Sequence, residues 1–142
     1  MAKITLFSDP QLVPNANITW HQKAPVAADF DDFYGSTDDA IAEKTHVFLH
    51  PNKLPVRMQD MAPNAHLSVL ELGFGGGLNF LLTWQLWRHQ RAQAKQPARL
   101  IYTSIEAFPM SVGDLQQWQA QWPELADLAA QLQAQYPLPI KG

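Results

Sequence analysis

Between Glu71 and Asn79 the chain reads ELGFGGGLN: a carboxylate, glycines at 73, 75 and 77 with Gly76 among them, and an amide side chain. A second carboxylate, Glu106, closes the next apolar run. Glycines at a turn between a strand and a helix let the backbone approach a ligand and take dihedrals that a Cβ forbids. A carboxylate at the end of the following strand is placed to accept hydrogen bonds from the two hydroxyls of a ribose. The competing reading is a tight turn whose glycines serve packing alone. Glu71, Asn79 and Glu106 around the loop favour a nucleoside-containing ligand.

The spacing narrows the ligand. A dinucleotide loop runs G-x-G-x-x-G, but counting from Gly73 the sixth position is Leu78. A phosphate loop of the Walker type needs Lys-Ser or Lys-Thr after its glycines, and neither follows them here. The pattern E-x-G-x-G-x-G instead suits S-adenosylmethionine, whose amino-acid end and sulfonium need a close backbone and a nearby carboxylate but no phosphate cradle. An NAD-linked oxidoreductase half-domain and a non-enzymatic interaction domain on the same fold remain as alternatives.

The elements that position these residues are legible from periodicity. Leu67 to Leu72 is an apolar run suited to a strand of a parallel sheet covered on both faces. Leu78 to Lys95 has helical apolar spacing, with Arg88, Arg91 and Lys95 late in the helix, where cations complement its dipole. Arg99 to Ile105 predicts a second strand. Ser111 to Asp114 offers a helix cap, and Pro123 suits the first turn of a further helix through Leu125, Leu128 and Leu132. The order is strand, helix, strand, helix.

Residues 1–65 differ in style. Asn17 to His21 alternates as a strand, and Thr45 to His50 with Leu54 to Met58 reads as a β-hairpin around Pro51-Asn52-Lys53. Ser36 and Asp39 resemble a capping box for a short helix ending near Glu43. The expected organisation is an α/β chain with a β-rich extension over 1–65, then the first half of a Rossmann-like nucleotide-binding domain over 66–142.

Composition excludes several classes. The 142 residues, 46% hydrophobic, suffice for one core. With no cysteine there is no disulfide scaffold, thiolate metal site or cysteine nucleophile. The histidines at 21, 46, 50, 66 and 89 lack metal-ligand spacing, and no metal is expected. A net charge of −3 gives no bulk field for nucleic acid. Arg88, His89, Arg91 and Lys95 form a local basic patch that dipole complementation explains as well as phosphate contact does. Trp84, Trp87, Trp118 and Trp122 stand at helical spacing, which favours packing over base stacking. Met1 to Gln11 has no leader pattern and no run reaches membrane-spanning length, so a cytoplasmic location is expected.

The string GFGGGLNFLLTWQ, preceded by DFDDFYGSTDDAIAEKTHVFLHPNKLPVRM and followed by SIEAFP and QWPELADLAAQLQAQYP, resembles the methyltransferase part of the bifunctional tRNA wobble-uridine modification enzymes of the MnmC family. The resemblance runs from about Ile18 to Gly142. It implies the N-terminal part of a Rossmann-like class I methyltransferase. In that family an FAD-dependent oxidoreductase part removes a carboxymethyl group from tRNA uridine 34. The methyltransferase part then methylates the exposed amine with S-adenosylmethionine. Position by position, Glu71, Gly73, Phe74, Gly75, Gly77 and Asn79 match the family's cofactor loop and Glu106 its ribose-binding acid. Asp31, Asp32 and Tyr34 match a segment expected over cofactor or substrate, while Phe33 and Gly35 depart from it. Gly76 stands where the family more often has Thr, a change expected to loosen the loop. The catalytic residue is expected beyond residue 142, in an LDGF-type motif that these residues lack. The chain is therefore expected to be a fragment, with tRNA as substrate of the whole enzyme and without turnover alone.

Overall fold

The computed structural model describes residues 14–36 and 38–136. The N-terminal stretch without a leader pattern, Thr37 inside the expected cap, and the end of the resembling segment from Pro137 lie outside these residues. The first described layer is a small antiparallel sheet in the order β1-β2-β3: β1 Ile18–His21, β2 Ala24–Ala27 and β3 Asp32–Phe33. Ile18 pairs with Ala27, and Val26 with Phe33. The first strand meets the sequence expectation, whereas β2 and β3 are too short and Pro- or Asp-bearing to be legible.

The expected hairpin at Thr45–Met58 is not formed; the segment is helical. Helix α1 spans Ala40–Lys44 and runs straight into a π-helical turn, Thr45–Leu49. Helix α2 follows over Leu54–Gln59, with Pro55 in its first turn, where a missing N–H costs nothing. Periodicity explains the difference. Leu54 and Met58 are four residues apart, and together with Leu49 they turn into the core beside α3, a gain no two-stranded ribbon on the surface would match. The helix start also shifts: Asp39, not Ser36, is the cap, its Oδ1 accepting the Ala42 N–H at 3.1 Å.

From residue 66 the structure follows the expected order. Strands β4 (His66–Leu72) and β5 (Arg99–Ile105) are parallel, in register from His66↔Arg99 to Leu72↔Ile105. They flank α3, Leu78–Arg91, which ends one turn before the expected Lys95. Helix α4 is Val112–Gln119, capped by Ser111 Oγ accepting the Asp114 N–H at 3.1 Å. A 3₁₀ turn over Pro123–Leu125 leads into α5, Ala126–Gln133. Leu81, Met58, Leu115, Leu125 and Leu132 are almost wholly buried in one core that α1 to α5 share with β4. The N-terminal sheet is pinned to that core by Trp20, whose Nε1–H donates to Asp114 Oδ1 at 3.1 Å and whose ring meets Trp118 edge-on.

The expectation that β4 is covered on both faces is not met among the described residues. Leu67, Val69, Leu100 and Tyr102 face inward, with Phe80 of α3 edge-on to Tyr102. The opposite face is bare: Leu70 is 67% exposed, Leu72 78% and Ile105 58%. Among the described residues the parallel sheet has two strands, with helices on one side only.

Candidate functional site

The turn after β4 explains the alternating glycines. Gly73, Gly75 and Gly77 have φ of +87°, +54° and +75°, the left-handed region that favours glycine. Gly73 has open space where a Cβ would be, and Gly75 would bring its Cβ to 3.4 Å from Tyr34 Cδ1. Gly77 caps α3 and leaves its first amides without a side-chain acceptor.

Gly76 is a different case. Its φ is ordinary, yet a Cβ there would lie 2.1 Å from Trp118 Cδ1. The indole of Trp118 therefore occupies the place of a side chain at 76. The neighbouring Gln119, buried in α4, donates Nε2–H to the Gly76 carbonyl at 2.9 Å and accepts from Gln133 of α5 at 2.9 Å. The expected loosening of the loop by glycine at 76 is thus corrected: Trp118 and Gln119 clamp it from α4.

Two carboxylates flank the loop. Glu106, just past β5, accepts the Gly75 N–H at Oε2 (3.0 Å) and the Phe108 N–H at Oε1 (2.9 Å). Glu71, only 6% exposed, accepts Asn79 Nδ2–H at Oε1 (2.9 Å). Burial pushes the Glu71 carboxyl above the usual carboxylate range and the charge of Glu106 adds to this, while Asn79, Ser104 and Tyr102 oppose it. The Ser104 and Tyr102 hydroxyls face Glu71 from β5, although neither makes a hydrogen bond of ordinary geometry. Among the described residues Glu71 Oε2 and Asn79 Oδ1 are buried acceptors without a hydrogen-bond partner, as are the hydroxyls of Tyr102 and Ser104. The Tyr34 and Tyr136 hydroxyls are raised, first by burial and then by the charge of Glu106, Tyr136 to about 12.

These groups border one open cleft of about 270 Å³. Glu71, Gly73, Phe74, Gly75, Asn79 and Glu106 all line it, and Gly77 stands behind, against the Phe74 ring. Tyr34 lines it from the N-terminal sheet, together with Phe33 and Gly35. Asp31 and Asp32 do not: both are exposed and neither borders the cleft. Lys44 and Trp118 also line it, and no local sequence pattern marks either as a site residue. Their approach depends on how α1 and α4 pack.

The arrangement can hold a nucleoside through Glu106 beside the glycine loop, and a donor group through the unpartnered oxygens of Glu71 and Asn79. It is poorly suited to phosphates, since Lys44 is the only Lys or Arg along the cleft among the described residues. Among the described residues no group of three His, Asp or Glu side chains is placed to hold a metal ion, and no helix is long and apolar enough to cross a membrane.

No protein-family model matches the chain. Curated relatives do. It is 40% identical over 139 residues to the tRNA 5-methylaminomethyl-2-thiouridine biosynthesis bifunctional protein MnmC of Marinobacter nauticus, a match covering 98% of this chain and 22% of that protein. The proteins of the same name from Methylobacillus flagellatus and Acinetobacter baylyi are 42% and 45% identical over 127 and 118 residues, 89% and 83% of this chain and 19% of each relative. The chain spans about a fifth of the length of the curated relatives it matches. Matched at 40–45% identity over 83–98% of its length, the chain belongs to the MnmC family.

Proposed function

We propose that the cleft over the glycine loop is the S-adenosylmethionine site of the family's methyltransferase part. In this reading residues 1–65 are an extension that leans on the site, and residues 66–142 are the first half of the cofactor-binding domain. The reaction served is methylation of the aminomethyl group on tRNA uridine 34, giving 5-methylaminomethyl-2-thiouridine. The observation that carries this is the pair of buried acceptors without a hydrogen-bond partner among the described residues, Glu71 Oε2 and Asn79 Oδ1, in a cleft that the glycine loop and the Glu106 carboxylate also line. They fit a ligand that brings N–H donors and positive charge rather than phosphates.

Bound there, S-adenosylmethionine supplies a methyl group on a sulfonium. The chain's own residues bind and orient. Glu106 accepts from the ribose, the loop at Gly73 and Gly75 admits the ligand's chain close to the backbone, and Tyr34 covers the loop from the N-terminal sheet. Methyl transfer to an amine is an in-line displacement that needs a neutral nucleophile and an acceptor for its proton. No described residue is assigned that last role. An FAD-dependent oxidative step and the contacts to tRNA belong, in this proposal, to the rest of the family protein.

Calorimetry tests the reading, with S-adenosylmethionine against NAD, on this chain and on a chain extended to the relatives' length. The extended chain is expected to bind S-adenosylmethionine in preference to NAD, and this chain more weakly. Gly75→Val should abolish that binding and, because φ of +54° strains any side chain, also cost some stability, so circular dichroism is used to check that the variant still folds. Preference for NAD, or no binding by the extended chain, overturns it.

A further inference from the structure

Lys44 has no part in the reading so far, although it sits at the same cleft. It is the last residue of α1, where the helix passes directly into the π-helical turn Thr45–Leu49. Such turns are rare and often mark functional positions, because they re-aim the side chains around them. Thr45 Oγ1 donates to the Ile41 carbonyl at 2.7 Å, which steadies the backbone at that junction. The Lys44 side chain is 28% exposed, and among the described residues its ammonium pairs with the neighbouring Glu43 alone, at 3.7 Å. That pair is loose, between adjacent residues, with Glu43 itself 45% exposed, and such pairs contribute little.

The charges around the cleft are unequal. Glu71 and Glu106 supply two carboxylates, and Lys44 one ammonium. A ligand matching this set carries more positive than negative charge, with one anionic group to meet Lys44. An α-amino acid joined through a sulfonium to a nucleoside has that pattern: two positive centres and one carboxylate. Glu71 Oε2 and Asn79 Oδ1 are acceptors and repel a carboxylate, so that group must turn toward another wall. Among the described residues, Lys44 is the only cation on any wall.

We propose that Lys44 binds the α-carboxylate of the ligand's amino-acid end, in the cleft that it shares with the acceptors Glu71 and Asn79. The inference rests on the methyl-donor reading and assigns the orientation of the donor within the cleft. A charge-assisted hydrogen bond of this kind corresponds to a loss of about ten- to a hundredfold in affinity when removed. It also makes a carboxylate-free analogue a poorer ligand by a similar factor.

The experiment compares S-adenosylmethionine with decarboxylated S-adenosylmethionine, by calorimetry, on the extended chain and its Lys44→Met and Lys44→Arg variants. The unchanged protein is expected to prefer the carboxylated ligand. Lys44→Met should weaken that ligand about tenfold or more and leave the decarboxylated one unaffected, and Lys44→Arg should restore part of the preference. Equal loss for both ligands, or no loss for either, overturns the role of Lys44 while leaving the donor site standing. Failure of the unchanged protein to bind either ligand overturns the donor reading itself, and this inference with it.

Discussion

The backbone N–H of Gly75 donates to Glu106 Oε2 at 3.0 Å, so the loop that follows β4 is tied to the carboxylate that follows β5. The same carboxylate holds the Phe108 amide through its other oxygen. One side chain thus fixes the two strand ends between which a nucleoside would lie. Oε2 has a second lone pair free for a ribose hydroxyl, so ligand binding need not break the tie.

Glu106→Ala removes both functions. The Gly75 amide loses a charged acceptor, and the proposed ribose contact goes with it. Hydrogen bonds to charged groups are worth about 1.5–3 kcal/mol each. The variant is expected to bind S-adenosylmethionine at least tenfold more weakly in calorimetry, with a smaller loss in denaturant midpoint because the site is partly open to water.

At position 76 the prediction concerns packing. A Cβ would meet Trp118 Cδ1 at 2.1 Å and Nε1 at 2.7 Å, a contact that cannot be kept. Gly76→Thr is expected to destabilise the chain by about 1–3 kcal/mol through overpacking. Trp118→Leu in the same chain should recover part of that loss, giving a favourable coupling in a double-mutant cycle by urea unfolding. Additive losses would show that the indole does not hold the loop.

The pH dependence follows from Glu71. Its carboxyl is held above the ordinary range, mainly by burial. The folded chain therefore binds this proton more tightly than the unfolded one. The associated stability is fully present below the ordinary carboxylate value and declines as pH rises through the raised folded value. Glu71→Gln should flatten that part of the stability profile. An ammonium beside Glu71 lowers its pKa again, so ligand affinity should rise with pH over the same window and binding should release protons, which calorimetry in two buffers measures.

Much of the site was legible because its signals are local. Gly73, Gly75 and Gly77 read correctly as left-handed turn positions, and Ser111 and Pro123 marked their helices from types within four residues. The failures have physical causes. THVFLH and LPVRM carry β-formers, yet they fold as a π turn and a helix because Leu49, Leu54 and Met58 gain more by packing beside α3. Lys44, Trp118 and Gln119 reach the loop from helices about forty residues or fewer away in sequence, and no local pattern encodes that approach. Asp31 and Asp32 looked chemical by type but stand in solvent.

The bare face of β4 and β5 supplies a further prediction. Leu70, Leu72, Ile101 and Ile105 together expose a contiguous apolar strip on a two-stranded sheet. Covering each such side chain is worth about 1.5–3 kcal/mol, so this chain alone is expected to self-associate and to bind hydrophobic dyes. Leu72→Lys with Ile105→Lys should reduce both effects in sedimentation and dye fluorescence. The same pair should destabilise the extended chain, in which further layers are proposed to cover the face.

The measurement that bears most directly on the central claim is hydrogen–deuterium exchange of the extended chain with and without S-adenosylmethionine. The donor site placed here predicts added protection at the amides from Glu71 to Asn79 and from Ser104 to Phe108, lost in Gly75→Val. Protection confined to other segments, with the glycine loop unchanged, would contradict it.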